Sequence, residues 1–354
     1  MNPAPLQRIG DGAVAVFRAL YLGDMLCAVP ALRALRAALP RARIVLVGLP
    51  WAAQFARRYS AYLDDFIAFP GHPDLPEQPV LPYAQEEFYS HMRAQGFALA
   101  LQMHGSGEVT NGIVGAFGAR MQAGYGTVGN PLCGAMHAFP YPGHGAEPLR
   151  LLRLVRWLGA DITSCRMEFP LMPEDWDELA RTGVARGLRA GSYVCVHAGA
   201  RTRDKCWPPE RFAEVADRLA FDHGLKVVLT GSASEADLAD AVAGNMSAPA
   251  INATVPMSVG AMAALMRGAR LLVCNDTGVS HVAAGLGLKS VVIFSKADMG
   301  RWAPLNRRLH RCIRDPEGRK AQLVVAQARA LLAGSRGADS AEHRRSANIT
   351  RRAD

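Results

Sequence analysis

Ala13-Val14-Ala15-Val16-Phe17-Arg18 is an apolar run of strand length, and it leads through Leu22-Gly23-Asp24 into Met25–Leu39, whose apolar residues fall at 26, 29, 32, 35 and 39. The second spacing is helical. A strand feeding an amphipathic helix is the first half of a parallel β-α-β unit. The pattern recurs outward: Arg43–Gly48, Asp65–Phe69 and Ala98–Gln102 read as strands, and Trp51–Arg58, Tyr83–Gln95 and Glu147–Leu158 as helices. Pro70, Pro73, Pro76, Pro79 and Pro82 keep the segment between them extended. Gly105–Gly134 is glycine-dense with room for one helix.

Phe169–Pro173 holds two prolines and reads as a linker. After it, strands are expected at Tyr193–His197, Lys226–Thr230, Leu271–Cys274 and Ser290–Phe294. Helices are expected at Glu174–Arg186, Pro209–Phe221, Glu235–Ala243, Met257–Arg267, Val279–Ala284 and Lys320–Leu332. The chain therefore reads as two α/β domains, residues 1–170 and 171–333, with a cleft between them. The Arg-, Ser- and Ala-rich tail 334–354 lacks periodicity and is expected to be disordered. In such sheets ligands bind outside the carboxyl ends of the strands, so the loops that follow strands carry the functional signal.

Composition narrows the classes. The chain has 354 residues, 50% apolar and 20% charged, which suits two packed cores. No uncharged run reaches the ~18–20 residues of a membrane span, and the first ten residues hold no apolar segment of signal type. Seven scattered cysteines without a C-x-x-C pair read as free thiols of a cytoplasmic protein. The net charge of +9 suits an anionic partner: a phosphorylated substrate, a nucleic acid or an anionic membrane surface. Aromatics at 7% and the lack of a recognition-helix, zinc-finger or aromatic RNA-binding pattern argue against nucleic acid. Arg is the default cation, and the first of only five lysines is Lys205. A lysine in that background suits a site preferring a compact ammonium.

Four loops stand out. Asp24 follows the first strand at the start of a helix, either as an N-cap or as a cleft-facing carboxylate. His197-Ala198-Gly199-Ala200-Arg201-Thr202-Arg203-Asp204-Lys205-Cys206-Trp207-Pro208-Pro209 joins a strand to a helix, and combines cations with free amides in a manner suited to phosphate. Asn275-Asp276-Thr277-Gly278-Val279-Ser280-His281 opens another helix as an anion nest or an ordinary cap. His281 is equally a ligand contact or a packed histidine. Thr230-Gly231-Ser232-Ala233-Ser234-Glu235 places Glu235 as a ribose-hydroxyl acceptor or a first-turn acid.

Three patterns are set aside. Gly124-Tyr125-Gly126-Thr127-Val128-Gly129 matches a dinucleotide string, but Asn130-Pro131 follows it instead of a helix. Asp175-Trp176-Asp177 has the D-x-D shape of metal-dependent enzymes yet sits among Glu174 and Glu178 at a helix start, where the dipole favours acids. His104, His137 and His144 lack metal-ligand spacing. No metal site is expected.

Leu22-Gly23-Asp24 with Pro30, Lys205-x-Trp207-Pro208, Gly231 with Glu235, Met257-Ser258, and Asn275 through His281 occur together in this order. The combination resembles glycosyltransferase family nine, the ADP-heptose:lipopolysaccharide heptosyltransferases, over about residues 13–305. The resemblance implies a GT-B fold of two Rossmann-like domains, with the acceptor on the first and the nucleotide-sugar donor on the second. It implies inversion at the anomeric carbon without an obligatory metal and with no cofactor beyond the donor itself. By the same resemblance Asp24 is the catalytic base and Lys205 contacts the donor diphosphate and sugar. Glu235 takes the ribose, Met257 the adenine and Asp276 the donor sugar, while Thr277, Gly278 and Val279 take phosphate. Ser280 and His281 complete that loop. Ala200-Arg201 stands where the family often carries hydroxyl residues, so Arg201 is expected to add charge at the diphosphate. Arg301-Trp302-Ala303-Pro304 also departs from the core heptosyltransferases. The expected acceptor is a lipopolysaccharide core or another lipid-linked surface glycan, reached from the cytoplasm with peripheral contact to the anionic inner membrane. A sugar-nucleotide epimerase of the same architecture and a non-catalytic sugar-nucleotide binder are the alternatives.

Overall fold

A computed structural model describes residues 5–126 and 137–333. The tail 334–354, Cys133 and the Thr127–Gly129 end of the dinucleotide-like string lie outside the described residues. The chain divides into two compact units, Met1–Pro170 and Leu171–Asp354.

The first unit starts with β1 (Val14–Phe17), α1 (Leu22–Ala38), β2 (Ile44–Gly48), α2 (Ala52–Arg58) and β3 (Asp65–Ala68). It continues with α3 (Pro82–Ala94), β4 (Leu99–Gln102), α4 (Thr110–Gly115), β5 (Met121–Gly126), β6 (His137–Pro140) and α5 (Glu147–Trp157). Its strands are parallel in the order β3-β2-β1-β4-β5-β6. β1, fully buried, lies in the middle. Phe17, Phe69, Phe88 and Phe117 pack edge to face on one side of the sheet, with centroids 5.0–5.9 Å apart along the Phe17–Phe69–Phe88–Phe117 chain.

The second unit runs α6 (Pro173–Thr182), β7 (Tyr193–His197), α7 (Pro209–His223), β8 (Lys226–Leu229), α8 (Ala236–Asn245), β9 (Ala250–Asn252) and α9 (Val259–Arg267). Then come β10 (Leu272–Asn275), α10 (Gly278–Leu286), β11 (Ser290–Phe294), α11 (Met299–Trp302), β12 (His310–Arg314) and α12 (Ala321–Ala333). Its order is β12-β11-β10-β7-β8-β9, again all parallel. Its core is mainly aliphatic, drawn from β7, β8, β10 and β11 against α7 and α12, with Trp207 and Phe212 as its aromatics.

Both sheets have the doubly wound Rossmann order, and in both the order reverses between the first and fourth strands of the unit. The switch points are β1/β4 and β7/β10. Four strands depart from the sequence expectation. β5 and β6 form inside and just beyond the glycine-dense stretch, and β9 and β12 form where no strand is expected. The α1 helix begins at Leu22 and runs through Pro30, so its N-cap is Tyr21 and Asp24 stands in its first turn.

Candidate functional site

The expected donor residues lie on loops at the carboxyl ends of the second sheet. After β7 the chain runs through Ala198–Thr202 into a single 3-10 turn, Arg203–Lys205, before Pro208 and Pro209 start α7. Arg201 is exposed and Lys205 half-buried. After β10, Asp276 and Thr277 lead into α10, with Thr277 as N-cap and without a side-chain capping bond. The two loops flank the β7/β10 switch point, where helix amides and cations serve an anion best.

Asn275, fully buried, knits them together. Its Oδ1 accepts from the Trp207 amide at 2.9 Å, and its Nδ2 donates to the Ala198 carbonyl at 2.7 Å and the Gly199 carbonyl at 3.3 Å. The Trp207 ring is buried, and its Nε1 donates to Asp315 Oδ2 at 2.8 Å. Burial alone would raise the Asp315 carboxyl, but the Lys320 amide, the Trp207 ring and the Arg319 amide hold it below the usual range. The Lys-x-Trp-Pro ending is thus a structural anchor for the loop that carries Lys205.

Glu235 lies over the same loop. Its Oε2 accepts from the Ser232 amide at 2.8 Å and the Ser232 hydroxyl at 2.7 Å, the reciprocal arrangement of a capping box. A Cβ on Gly199 would stand 2.0 Å from Glu235 Oε1, so glycine is what admits the carboxylate there. Glu235 also bears on buried His197: burial pushes its imidazole down and the Glu235 charge partly opposes that. Arg203 binds Asp237 at 2.9 Å, and Lys296, after β11, binds Asp204 at 2.7 Å. Met257 is half-buried after β9. It precedes Ser258, the N-cap of α9, which Glu178 fixes through its amide (2.7 Å) and hydroxyl (2.5 Å).

The second half of the Asn275–His281 loop behaves differently. Asp276, Thr277 and Gly278 are half-buried, whereas Val279, Ser280 and His281 are buried. Ser280 turns its hydroxyl back to the Thr277 carbonyl at 2.8 Å. Burial pushes His281 down to about 4, which keeps it neutral. These three residues therefore offer a ligand main chain rather than side chains.

In the first unit, Asp24 is half-buried in the first turn of α1, beside the carboxyl end of β1. The structure adds Arg18, Glu147 and Arg150, which no motif marks, and gives His104, set aside above as a metal ligand, a packed position. Arg18 and Glu147, both buried, form an ion pair at 3.2 Å, and Arg150 joins Glu147 at 3.4 Å. His104, after β4, is buried and stacks on Phe17. Burial and the Arg18 charge push His104 down to about 3 against a smaller opposing pull from Glu147. No sequence signal short of the fold marks a strand-terminal arginine as buried.

Asp175 accepts from the Met172 amide at 2.8 Å at the start of α6, a local capping role. Among the described residues no group of three or more His, Cys, Asp or Glu side chains gathers as metal ligands. No described helix is long and apolar enough to cross a membrane.

Residues 162–331, nearly the whole second unit, match the family model described as glycosyltransferase family 9 (heptosyltransferase). This second unit is similar to glycosyltransferase family 9. It is 28% identical over 152 residues to lipopolysaccharide heptosyltransferase 3 of Escherichia coli, covering 42% of this chain and 44% of that protein. The match thus spans less than half of that relative's length. The fold is shared with a family 9 glycosyltransferase from Veillonella parvula DSM 2008 (TM-score 0.77, 20% identity, 92% of this chain and 98% of that one). It is also shared with an E. coli heptosyltransferase solved with ADP (TM-score 0.69, 20% identity, 91% and 99%). Two parallel six-stranded sheets, each doubly wound, are the GT-B components.

Proposed function

We propose that the chain is an inverting glycosyltransferase that moves heptose from ADP-heptose to a lipopolysaccharide-core or related surface-glycan acceptor. The observation that carries the reading is the grouping of Arg201, Lys205, Glu235 and the Thr277–Gly278 helix start around one switch point, tied by Asn275. The family description and the E. coli relative's name support heptose, and the E. coli structure with ADP supports an adenosine nucleotide.

In the reaction, Asp24 removes the proton from the acceptor hydroxyl as its oxygen attacks the anomeric carbon. The bond from that carbon to the diphosphate oxygen breaks with inversion, and ADP departs with both bonding electrons. Lys205, Arg201 and the amides at the start of α10 stabilise the charge that develops on the leaving group. Those groups supply the cationic field, so the transfer runs without a metal ion. Glu235 holds the ribose, Met257 lies against adenine and Asp276 binds the donor sugar. A cytoplasmic location with peripheral contact to an anionic membrane face fits the basic chain and a lipid-linked acceptor.

A thermal-shift panel of nucleotide sugars tests the reading, because a ligand of the native state raises its melting temperature. ADP-heptose is expected to give the largest shift, and a larger one from a uridine or thymidine nucleotide sugar overturns the donor. Incubation with ADP-heptose alone separates transfer from epimerisation: sugar isomerised without acceptor overturns transfer. ADP binding with no turnover on any glycan acceptor marks a binder.

A further inference from the structure

At the carboxyl end of β1 the chain buries a guanidinium, with Arg18 only 1% exposed. A charge removed from water in this way is tolerable only when hydrogen bonds and an opposite charge replace the lost hydration. Every nitrogen of Arg18 finds an oxygen. Nε and Nη2 both donate to the Asp24 carbonyl, at 3.1 and 2.8 Å. Nη1 donates to the Met103 carbonyl, and Nη2 also reaches Glu147 Oε1 at 3.2 Å. Glu147 is held in turn by Arg150, which donates to the Pro142 carbonyl at 2.6 Å and lies 4.3 Å over the Tyr141 ring. One side chain thereby joins the end of β1, the first turn of α1, the loop after β4 and the start of α5. These are the elements around the first unit's switch point.

The grip is on the main chain of Asp24. It fixes where the Asp24 Cα stands and the direction in which its carboxylate leaves the helix. Lysine could not substitute, because a single ammonium lacks the planar fork that reaches the Asp24 and Met103 carbonyls and Glu147 together. We propose that Arg18 is the positioning residue for Asp24, with Glu147 completing its anchorage, so that the base meets the acceptor hydroxyl in a fixed geometry. The inference rests on the reading of Asp24 as the base. A general base misplaced by about 1 Å loses on the order of a hundredfold in rate.

The test compares full-length wild type, Arg18→Lys, Glu147→Gln, Asp24→Asn and the two double variants. Transfer is measured from ADP-heptose to a delipidated lipopolysaccharide core oligosaccharide, and ADP affinity by calorimetry. Arg18→Lys is expected to lower kcat by ~10–100-fold while donor KM and ADP affinity stay within about twofold. Glu147→Gln is expected to show the same pattern at several-fold, and it carries the test if Arg18→Lys folds poorly. In the Asp24→Asn background neither substitution costs further rate, because no base is left to position. A full, additive loss in that background overturns the positioning role while leaving the base assignment intact. An Asp24→Asn enzyme with wild-type kcat overturns the base reading and this inference with it. Hydrogen exchange supplies a readout independent of substrate: amides of 22–28 are expected to exchange at least about tenfold faster in Arg18→Lys, with 276–286 unchanged. Unchanged exchange at 22–28 overturns the proposal.

Discussion

The two units carry the same sheet order and treat charge at the switch point in opposite ways. In the second, Arg201 and Arg203 stand exposed on the loop after β7, with Lys205 half-buried beside them. In the first, the arginine at the end of β1 is inside the protein, and its hydrogen bonds go to the protein's own carbonyls and to Glu147. A cation exposed on a loop can be reached from solvent, whereas buried Arg18 cannot. Topology marks the same place in each unit, and burial separates them: the second edge presents its cations to solvent, and the first turns its arginine inward onto the Asp24 main chain.

The sharpest way to break this contrast is Asp24→Asn. It preserves size and removes basicity, so turnover is expected to fall ~10²–10⁴-fold. ADP affinity, which the proposal assigns to the other unit, should barely change in calorimetry. A variant that loses ADP binding instead would move Asp24 to the donor. Lys205→Ala strikes the opposite edge. If that cation acts on the bound diphosphate and more strongly on the leaving group, as proposed, affinity and kcat should both fall, each by roughly tenfold. A loss confined to acceptor KM would reverse the assignment of the two edges.

Gly199→Ala probes the second edge more finely. The added Cβ meets the movable end of Glu235, so the fold should survive while the carboxylate is displaced. ADP affinity is expected to drop about tenfold, the worth of one charged hydrogen bond. Unchanged affinity would remove Glu235 from the ribose site. Acid titration gives a smaller effect. His281, depressed to about 4 in the fold from an ordinary 6.5, binds its proton more readily when unfolded. Its contribution to stability is complete above about 6.5 and is lost as pH falls toward 4. The melting temperature should fall over that window, and His281→Gln should flatten part of the slope. The smallest effect is expected from exhaustive chelation, which should leave transfer within a few-fold of the untreated rate. Abolition restored by one divalent ion would show that the cationic loops do not suffice.

What could be read from the sequence follows from burial. β1, β2, β4, β7 and β11 are buried along their length and written in continuous apolar runs, and each falls within about two residues of its expected bounds. β6, β9 and β12 lie toward or at the sheet edges, only partly buried, and their polar, short segments carry no such run. Met121-Gln122-Ala123-Gly124-Tyr125-Gly126 lacks β-branched residues and becomes β5 through pairing with β4. The loops bearing Asp24, Lys205, Glu235 and Thr277 could be found because each follows a strand. Arg18 could not, since a strand-terminal arginine is usually at the surface, and only the packing of α5 against α1 encloses it. Asn275 likewise reads as one more polar residue of a nest until the structure brings Trp207 and Ala198 to it.

The closure of the first unit bears on how the protein is made. Leu6 donates its amide to the Leu158 carbonyl at 3.0 Å, and Arg18 waits for Glu147 across 129 residues of chain. A ribosome adding ~5–20 residues per second needs roughly 8–30 s between synthesis of the first of these partners and synthesis of the last. Through that interval β1 and α1 exist without the helix that covers them, and Arg18 has no carboxylate to pair with. The nascent chain thus exposes an apolar strand and an unmatched cation until α5 arrives. Slow translation before α5 has left the ribosome prolongs that exposure, while a pause after residue 158 has cleared the exit tunnel leaves a unit that can already close.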